Sequence, residues 1–172
     1  MYKTLVLLPL VFLSTNLIAE ETIPNHLIDY QGFKRIVIEQ EAAREAGRLS
    51  EDDFVEAIAS GNYVLLDARS ASNFERRHVV NAINLPFTEF DEMSLGKVIP
   101  EKDSKILIYC NNNFVENTPS MVTKSVMASL NVNTQASLRA YGYENIFELG
   151  PSLSLKTTKL NFEGTEVAQL GY

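Results

Sequence analysis

The chemistry this chain offers converges on Cys110, its only cysteine in 172 residues. The residue ends the run Lys105-Ile106-Leu107-Ile108-Tyr109, and Asn111, Asn112 and Asn113 follow it directly. A thiolate, not a thiol, is the nucleophile, and N–H donors together with a helix N-terminus favour its formation. A strand, the cysteine, a turn of asparagines that tolerate positive φ, and a helix starting near Pro119 would hold such donors over the sulfur. The helix dipole contributes about 0.3–1 kcal/mol, or half a pKa unit. A lone cysteine is otherwise a small inert hydrophobe, but a strand end facing a polar loop favours the reactive reading. Two other side chains come into question. Asp67 closes the run Tyr63-Val64-Leu65-Leu66 and reads either as an acceptor at a strand end or as a participant in the chemistry. His78 reads as a base for Cys110 or as a structural residue, and a thiolate held by its loop needs no base beside it. His26 has no Cys or His neighbour and reads as a surface residue, so no metal site and no cofactor are expected.

The elements that must position these residues are short. Lys105–Tyr109 is four consecutive apolar residues after a lysine, a strand buried on both faces. Ser50-Glu51-Asp52-Asp53 opens a helix with a capping box; Phe54, Val55 and Ile58 form its apolar stripe, and Gly61 ends it. Tyr63–Asp67 is a second buried strand, Ser72–Arg77 a helical turn, and Ala82–Leu85 a brief strand stopped by Pro86. A connection over 87–104 carries a helical turn near Phe90–Leu95. Met121–Leu130 and Gln135–Tyr141 read as two helical pieces parted by Asn131-Val132-Asn133, with Gly142 as cap and Asn145–Leu149 as the last strand. In residues 20–47, Phe33–Glu39 reads as a strand and Glu39–Ala46 as a helix closed by Gly47. Strands alternating with helices predict an α/β fold, a parallel sheet covered on both faces. Ligands of such sheets bind at the carboxyl ends of the strands, where Asp67 and Cys110 both fall.

The formal charge is −7, and no basic stripe interrupts it, so nucleic acid and anionic membranes are poor partners. Lys3, the apolar run Leu5–Leu13 and the small Ala19 read as a secretory signal in residues 1–19, cut before Glu20. Pro9, Ser14, Thr15 and Asn16 leave too short an apolar run to span a bilayer of about 30 Å. The expected product is periplasmic or secreted, with no stable membrane insertion after cleavage. One cysteine can form no internal disulfide, and an exported lone thiol hints at use.

Leu66-Asp67-Ala68-Arg69 followed by Phe74-Glu75-Arg76-Arg77-His78-Val79-Val80-Asn81-Ala82-Ile83-Asn84-Leu85-Pro86 resembles the first signature of a rhodanese domain. Ile106–Cys110 resembles its active-site strand, and Tyr141–Leu149 its closing helix-to-strand turn. The resemblance divides the chain into a signal (1–19), an N-terminal extension (20–47), a rhodanese-like domain (48–151) and a C-terminal extension (152–172). It implies a parallel sheet of about five short strands with helices on both faces. It also implies a sulfurtransferase whose cysteine takes up a sulfane sulfur as a persulfide and passes it to a thiol or cyanide. On that resemblance Cys110 is the nucleophile and Asn111, Asn112, Asn113, Phe114, Val115 and Glu116 form the active-site loop. Asp67 and Arg69 support the mouth, and His78 is structural. The chain departs from the family where a loop glycine is replaced by Asn113 and where no basic residue follows until Lys124. Arg77 and Asn81 stand where two glycines are usual.

Three functions follow: an exported sulfurtransferase or persulfide carrier, a binding or regulatory module that keeps the fold without turnover, and a thiol redox protein. The retained Cys110 disfavours the second, and the lack of a resolving cysteine disfavours the third. The partners expected are a small sulfur donor or a protein persulfide or thiol. With no cation in the loop and Glu116 added to it, thiosulfate is expected to be a poor donor.

Overall fold

The alternation of apolar side chains along the strands decides the architecture. In the computed structural model, which describes residues 23 and 25–170, Ile106 and Ile108 face one core and Leu107 and Tyr109 the other. The two-residue period of a strand divides them between the faces, so the strand must be covered on both. The signal read in residues 1–19 lies outside the described residues.

The chain enters through helix α1 (Tyr30–Glu39), where a strand was expected over Phe33–Glu39. Asp29 caps it by accepting from Gly32 N–H at 2.7 Å. Phe33, Ile36 and Val37 recur at helical spacing, and that period overrides the β-branched composition. Helix α2 (Glu41–Ala46) closes at Gly47, as its sequence suggested. A Cβ at Gly47 would lie 2.7 Å from Ile146 O, so only glycine lets the chain turn into strand β1 (Arg48–Leu49) at this point. Arg44 and Arg48 reach the buried Glu148 carboxylate at 2.6 and 3.4 Å and tie this extension to the sheet. Burial raises the Glu148 pKa above the usual carboxylate value, against the pull of the two arginines.

Helix α3 (Glu51–Ala59) follows, capped by the Ser50 hydroxyl, then strand β2 (Tyr63–Asp67), helix α4 (Ala71–Arg76) and the two-residue strands β3 (His78–Val79) and β4 (Ile83–Asn84). Helix α5 (Glu92–Val98) leads to β5 (Lys105–Ile108), helix α6 (Leu130–Ala140) to β6 (Ile146–Leu149), and β7 (Phe162–Glu163) to α7 (Thr165–Leu170). Five strands form one sheet in the order β1-β6-β5-β2-β4, every pair parallel. One core holds Phe54, Leu65, Leu107, Tyr109, Phe114 and Leu149; the other holds Leu66, Leu95, Ile106, Ile108, Leu138 and Tyr143.

The C-terminal extension is strapped back onto the domain. Strand β7 pairs antiparallel with β3, and Leu153 bridges Phe114. At Gly164 φ is +125°, and a Cβ there would lie 2.5 Å from Arg76 O, so the strap passes α4 at backbone distance. Asn81 keeps the left-handed conformation (φ 72°) at a position where the family resemblance led us to expect glycine. Asparagine tolerates that region better than other side chains. Arg77 is extended (φ −161°) and needs no glycine.

Candidate active site

The site is assembled at the carboxyl ends of β2 and β5. Register places Leu66 opposite Ile108, so the residues that continue these strands, Asp67 and Tyr109, emerge side by side. Their side chains lock together. The Tyr109 hydroxyl donates to Asp67 Oδ2 at 2.5 Å and accepts from Val79 N–H at 3.0 Å. Arg69 closes on the same carboxylate, with Nε 2.9 Å from Oδ1 and a second guanidinium nitrogen on Oδ2. The guanidinium also donates to Ser120 O at 3.0 Å and Arg77 O at 2.8 Å. Burial works against the Arg69 charge, yet Asp67 and Tyr109 outweigh it and hold the pKa above its ordinary value. Burial, reinforced by the Asp67 charge, pushes the Tyr109 phenol well above its usual value, so Tyr109 stays a neutral donor. Asp67 and Arg69 therefore form a saturated scaffold beneath the site; Arg69 also contributes to the wall of a cleft.

Cys110 comes next after this network and is 1% exposed. It and Asn113 close one turn (Asn111–Asn113): Asn113 Oδ1 accepts from Cys110 N–H at 2.9 Å, and the Asn113 N–H, on the side of the cysteine side chain, donates to Cys110 O at 3.1 Å. Phe114 and Val115 N–H groups are engaged by Asn111 O and Leu153 O. The ring of donors expected over the thiol thus narrows to the first turn. The helix does not begin near Pro119 either. Met121–Ser125 is irregular, Val126–Ala128 is a short 3-10 turn, and α6 starts at Leu130, running through the expected break at 131–133. The side chains explain this: Asn131, Thr134, Gln135 and Leu138 are all buried on one helical face.

The asparagines staple the intervening excursion instead of lining a loop. Asn111 Nδ2 donates to Val122 O at 2.8 Å, and Asn112 pairs reciprocally with Lys124, at 2.9 Å to its O and 3.0 Å from its N–H. Asn113 Nδ2 donates to Leu149 O at 2.7 Å. The excursion returns Ser129 to the thiol, its Oγ 3.7 Å from Cys110 Sγ. Phe114 is buried in the core and Val115 is exposed beside the C-terminal extension. Glu116 is turned away: its carboxylate accepts from the Ser154 hydroxyl at 2.5 Å and from Leu155 N–H at 2.7 Å. These bonds lower its pKa below the usual carboxylate value. Of the six loop residues expected, Asn111, Asn112 and Asn113 stay with the site, and Phe114, Val115 and Glu116 serve the packing of residues 153–155.

A cleft of about 460 Å³ opens beside Asn111, lined by Arg69, Asn73, Phe87, Glu89, Lys124 and Leu130. Lys124 in the cleft wall and Ser129 beside the thiol were given no role in the site by the sequence. Lys124 lies 14 positions beyond the cysteine, and only the Asn112 pairing brings it back; Ser129 carries no local signature beyond preceding a helix. His78 belongs elsewhere. Its Nδ1 lies 2.7 Å from Phe74 O, its Nε2 3.1 Å from Glu163 Oε1, and its ring stacks on Phe74. Both nitrogens are engaged, which fixes the structural reading. Among the described residues no group of three or more His, Cys, Asp or Glu side chains gathers as a metal site.

The chain matches the rhodanese-like domain family over residues 50–150, most of its length. It belongs to that family. This rhodanese-like chain is 28% identical over 103 residues to the adenylyltransferase and sulfurtransferase UBA4 of Candida glabrata, covering 54% of its own length and 24% of that protein. It therefore spans about a quarter of the relative's length. Among solved structures it resembles the BH2092 protein of Bacillus halodurans, with a TM-score of 0.52 and 18% identity over 75% of this chain and 85% of that one. The rhodanese-like domain of the Alr3790 protein from Anabaena sp. gives a TM-score of 0.51 and 18% identity, covering 73% of this chain and 85% of the other. At such identity the likeness carries the fold, a five-stranded parallel sheet flanked by helices.

Proposed function

We propose that this rhodanese-like protein is a sulfur carrier or sulfurtransferase that works through a persulfide on Cys110. The observation that carries the reading is a lone thiol at the carboxyl end of β5, preceding the Asn111 of a cleft wall, in a chain 28% identical over 103 residues to an adenylyltransferase and sulfurtransferase. The step balances without a further reagent. The Cys110 thiolate attacks the outer sulfur of a donor persulfide, the donor S–S bond breaks, and the donor leaves as a thiolate. An acceptor thiolate then attacks the outer sulfur of Cys110–S–SH and releases the Cys110 thiolate. The Ser129 hydroxyl, next to Sγ, can donate to the sulfur that carries the charge at each stage. A thiol only 1% exposed reacts when the segment around Val122–Ser129 lifts, so access is part of the cycle.

The donor is a persulfide on a small thiol or a protein rather than thiosulfate. The Arg69 charge is neutralised by Asp67, and in the cleft Lys124 is offset by Glu89. A dianion loses hydration on entering and gains little net charge in return. Steady-state turnover with cyanide as acceptor tests this: kcat/KM is expected to be at least about tenfold higher with a small-molecule persulfide than with thiosulfate, about 1.4 kcal/mol in the transition state. Brisk thiosulfate turnover would contradict it. The deep burial of Cys110 favours one rival, a module that keeps the fold without turnover; inactivity with every donor would select it. We also infer export, from Lys3, the apolar run Leu5–Leu13 and Ala19. An intact mass from a periplasmic extract that starts at Glu20 is the expected result, and a full-length chain in the membrane fraction the contrary one.

A further inference from the structure

Arg77 is a buried cation that the fold does not use. It is 7% exposed, its Nε is buried with no hydrogen-bond partner, and its guanidinium lies 6.0 Å from the Phe162 ring centroid. No ion pair among the described residues includes its side chain. Of the acids on the strap, Glu163 is held by His78 at 3.1 Å, and Glu166, whose Oε2 is buried without a hydrogen-bond partner, makes no ion pair with Arg77; Glu116, across from the strap, is taken by Ser154 and Leu155. A buried guanidinium N–H with neither a partner nor a counter-charge in ion-pair range is unfavourable, and an acceptor in the adjoining space would relieve it. The side chain lines a cavity of about 310 Å³ closed by the C-terminal strap. Leu155, Leu160, Phe162 and Val167 supply apolar walls, and Lys156 and Asn161 polar groups. None of these residues lines the cleft beside Cys110.

We propose that this cavity binds a small carboxylate with an apolar body, its two oxygens held by the Arg77 guanidinium and its body against Leu160, Phe162 and Val167. A planar guanidinium matches a carboxylate in a two-bond fork, which a lysine at this position would not provide. The exposed Lys156 adds a second positive charge. The volume is at the small end of ligand pockets, which limits the body to a short chain or one ring. The site depends on two features outside the usual family pattern, an arginine at position 77 and an extension that folds back over it. Binding joins α4 and β3 to the strap through one anion, so occupancy clamps residues 155–167 onto the domain.

The test follows the Arg77 Nε–H resonance in ¹⁵N-labelled full-length protein during titration with hexanoate and, separately, with inorganic phosphate. The expected result is a saturable shift with hexanoate at a lower concentration than with phosphate, together with a rise in Tm. Arg77→Gln should weaken hexanoate binding roughly 10- to 100-fold, the loss of hydrogen bonds to a charged group. Lys156→Ala, a surface change that leaves the fold intact, should weaken it roughly two- to fivefold. An Nε–H signal that moves with neither anion would overturn the proposal. So would tighter binding of phosphate than of hexanoate, which would make this an inorganic anion site, or hexanoate binding undiminished in Arg77→Gln.

Discussion

Cys110 sits between two regions built by different means. Below it, β5 is held by parallel ladders to β2 and β6 and by apolar side chains on both faces. Above it, Phe114 and Met121 are anchored in the core, but residues 122–129 contain only one short 3-10 turn and are held to the site by the amides of Asn111 and Asn112. Val122, Val126 and Met127 on that segment are exposed. The first region opens only with the whole domain, the second with a few hydrogen bonds, so under the proposed function the second is the part that opens to a donor.

The largest expected effect comes from cutting the buried network beneath the site. Arg69→Met leaves Asp67 buried without its ion pair and releases Ser120 O, so unfolding in urea should show a loss of about 3–5 kcal/mol. A loss under about 1 kcal/mol would mean that the network is better hydrated than its burial suggests. Asn113→Ala is the intermediate case. It removes the partners of the buried Cys110 N–H and Leu149 O and should lose about 1–3 kcal/mol by the same measurement.

Asn112→Ala sharpens the contrast. The Asn112–Lys124 pair is exposed, so global stability should change by no more than about 0.5–1.5 kcal/mol. Alkylation of Cys110 by iodoacetamide should nevertheless quicken by roughly two- to tenfold, because the excursion opens more often. An unchanged rate would show that the pair does not hold the segment closed. The smallest effect is a local one, on pH. Glu116 has a lowered pKa in the folded protein through its bonds to Ser154 and Leu155, so its contribution is present above the unfolded value and fades as pH falls through the folded one. The protection of Leu155 N–H against hydrogen exchange, relative to the intrinsic rate at each pH, should fall at acid pH in the native protein and already be low at neutral pH in Glu116→Gln.

The sheet was legible because burial writes itself into strands. Tyr63–Asp67 and Lys105–Tyr109 are apolar at nearly every position, and only a strand covered on both faces needs that. The helix over Phe33–Glu39 was misread because β-branched composition competed with a 3.6-residue period, and the period won. Past Cys110 the signal failed for a different reason. The segment has no period, because it is held by single side chains reaching backbone atoms: Asn111 reaches Val122 and Asn112 reaches Lys124 across the excursion. Nothing in the identity of an asparagine says which carbonyl it will find. The same blindness turned Glu116 into an expected site residue, although its partners Ser154 and Leu155 lie in the C-terminal extension. Arg77 was visible as a departure from a glycine pattern, but its isolation from carboxylates is a property of three dimensions alone.

The central claim is that the thiol over β5 carries sulfur, and an intact mass tests it most directly. Purified protein incubated with a small-molecule persulfide and freed of excess donor should gain one sulfur, a mass difference of about 32 Da fixed by the Cys110–S–SH product, which maps to the Cys110 peptide. Dithiothreitol should remove it, and Cys110→Ser should never acquire it. A native, folded protein that gains no sulfur from any persulfide, even when Asn112→Ala has made Cys110 open to alkylation, would contradict the account.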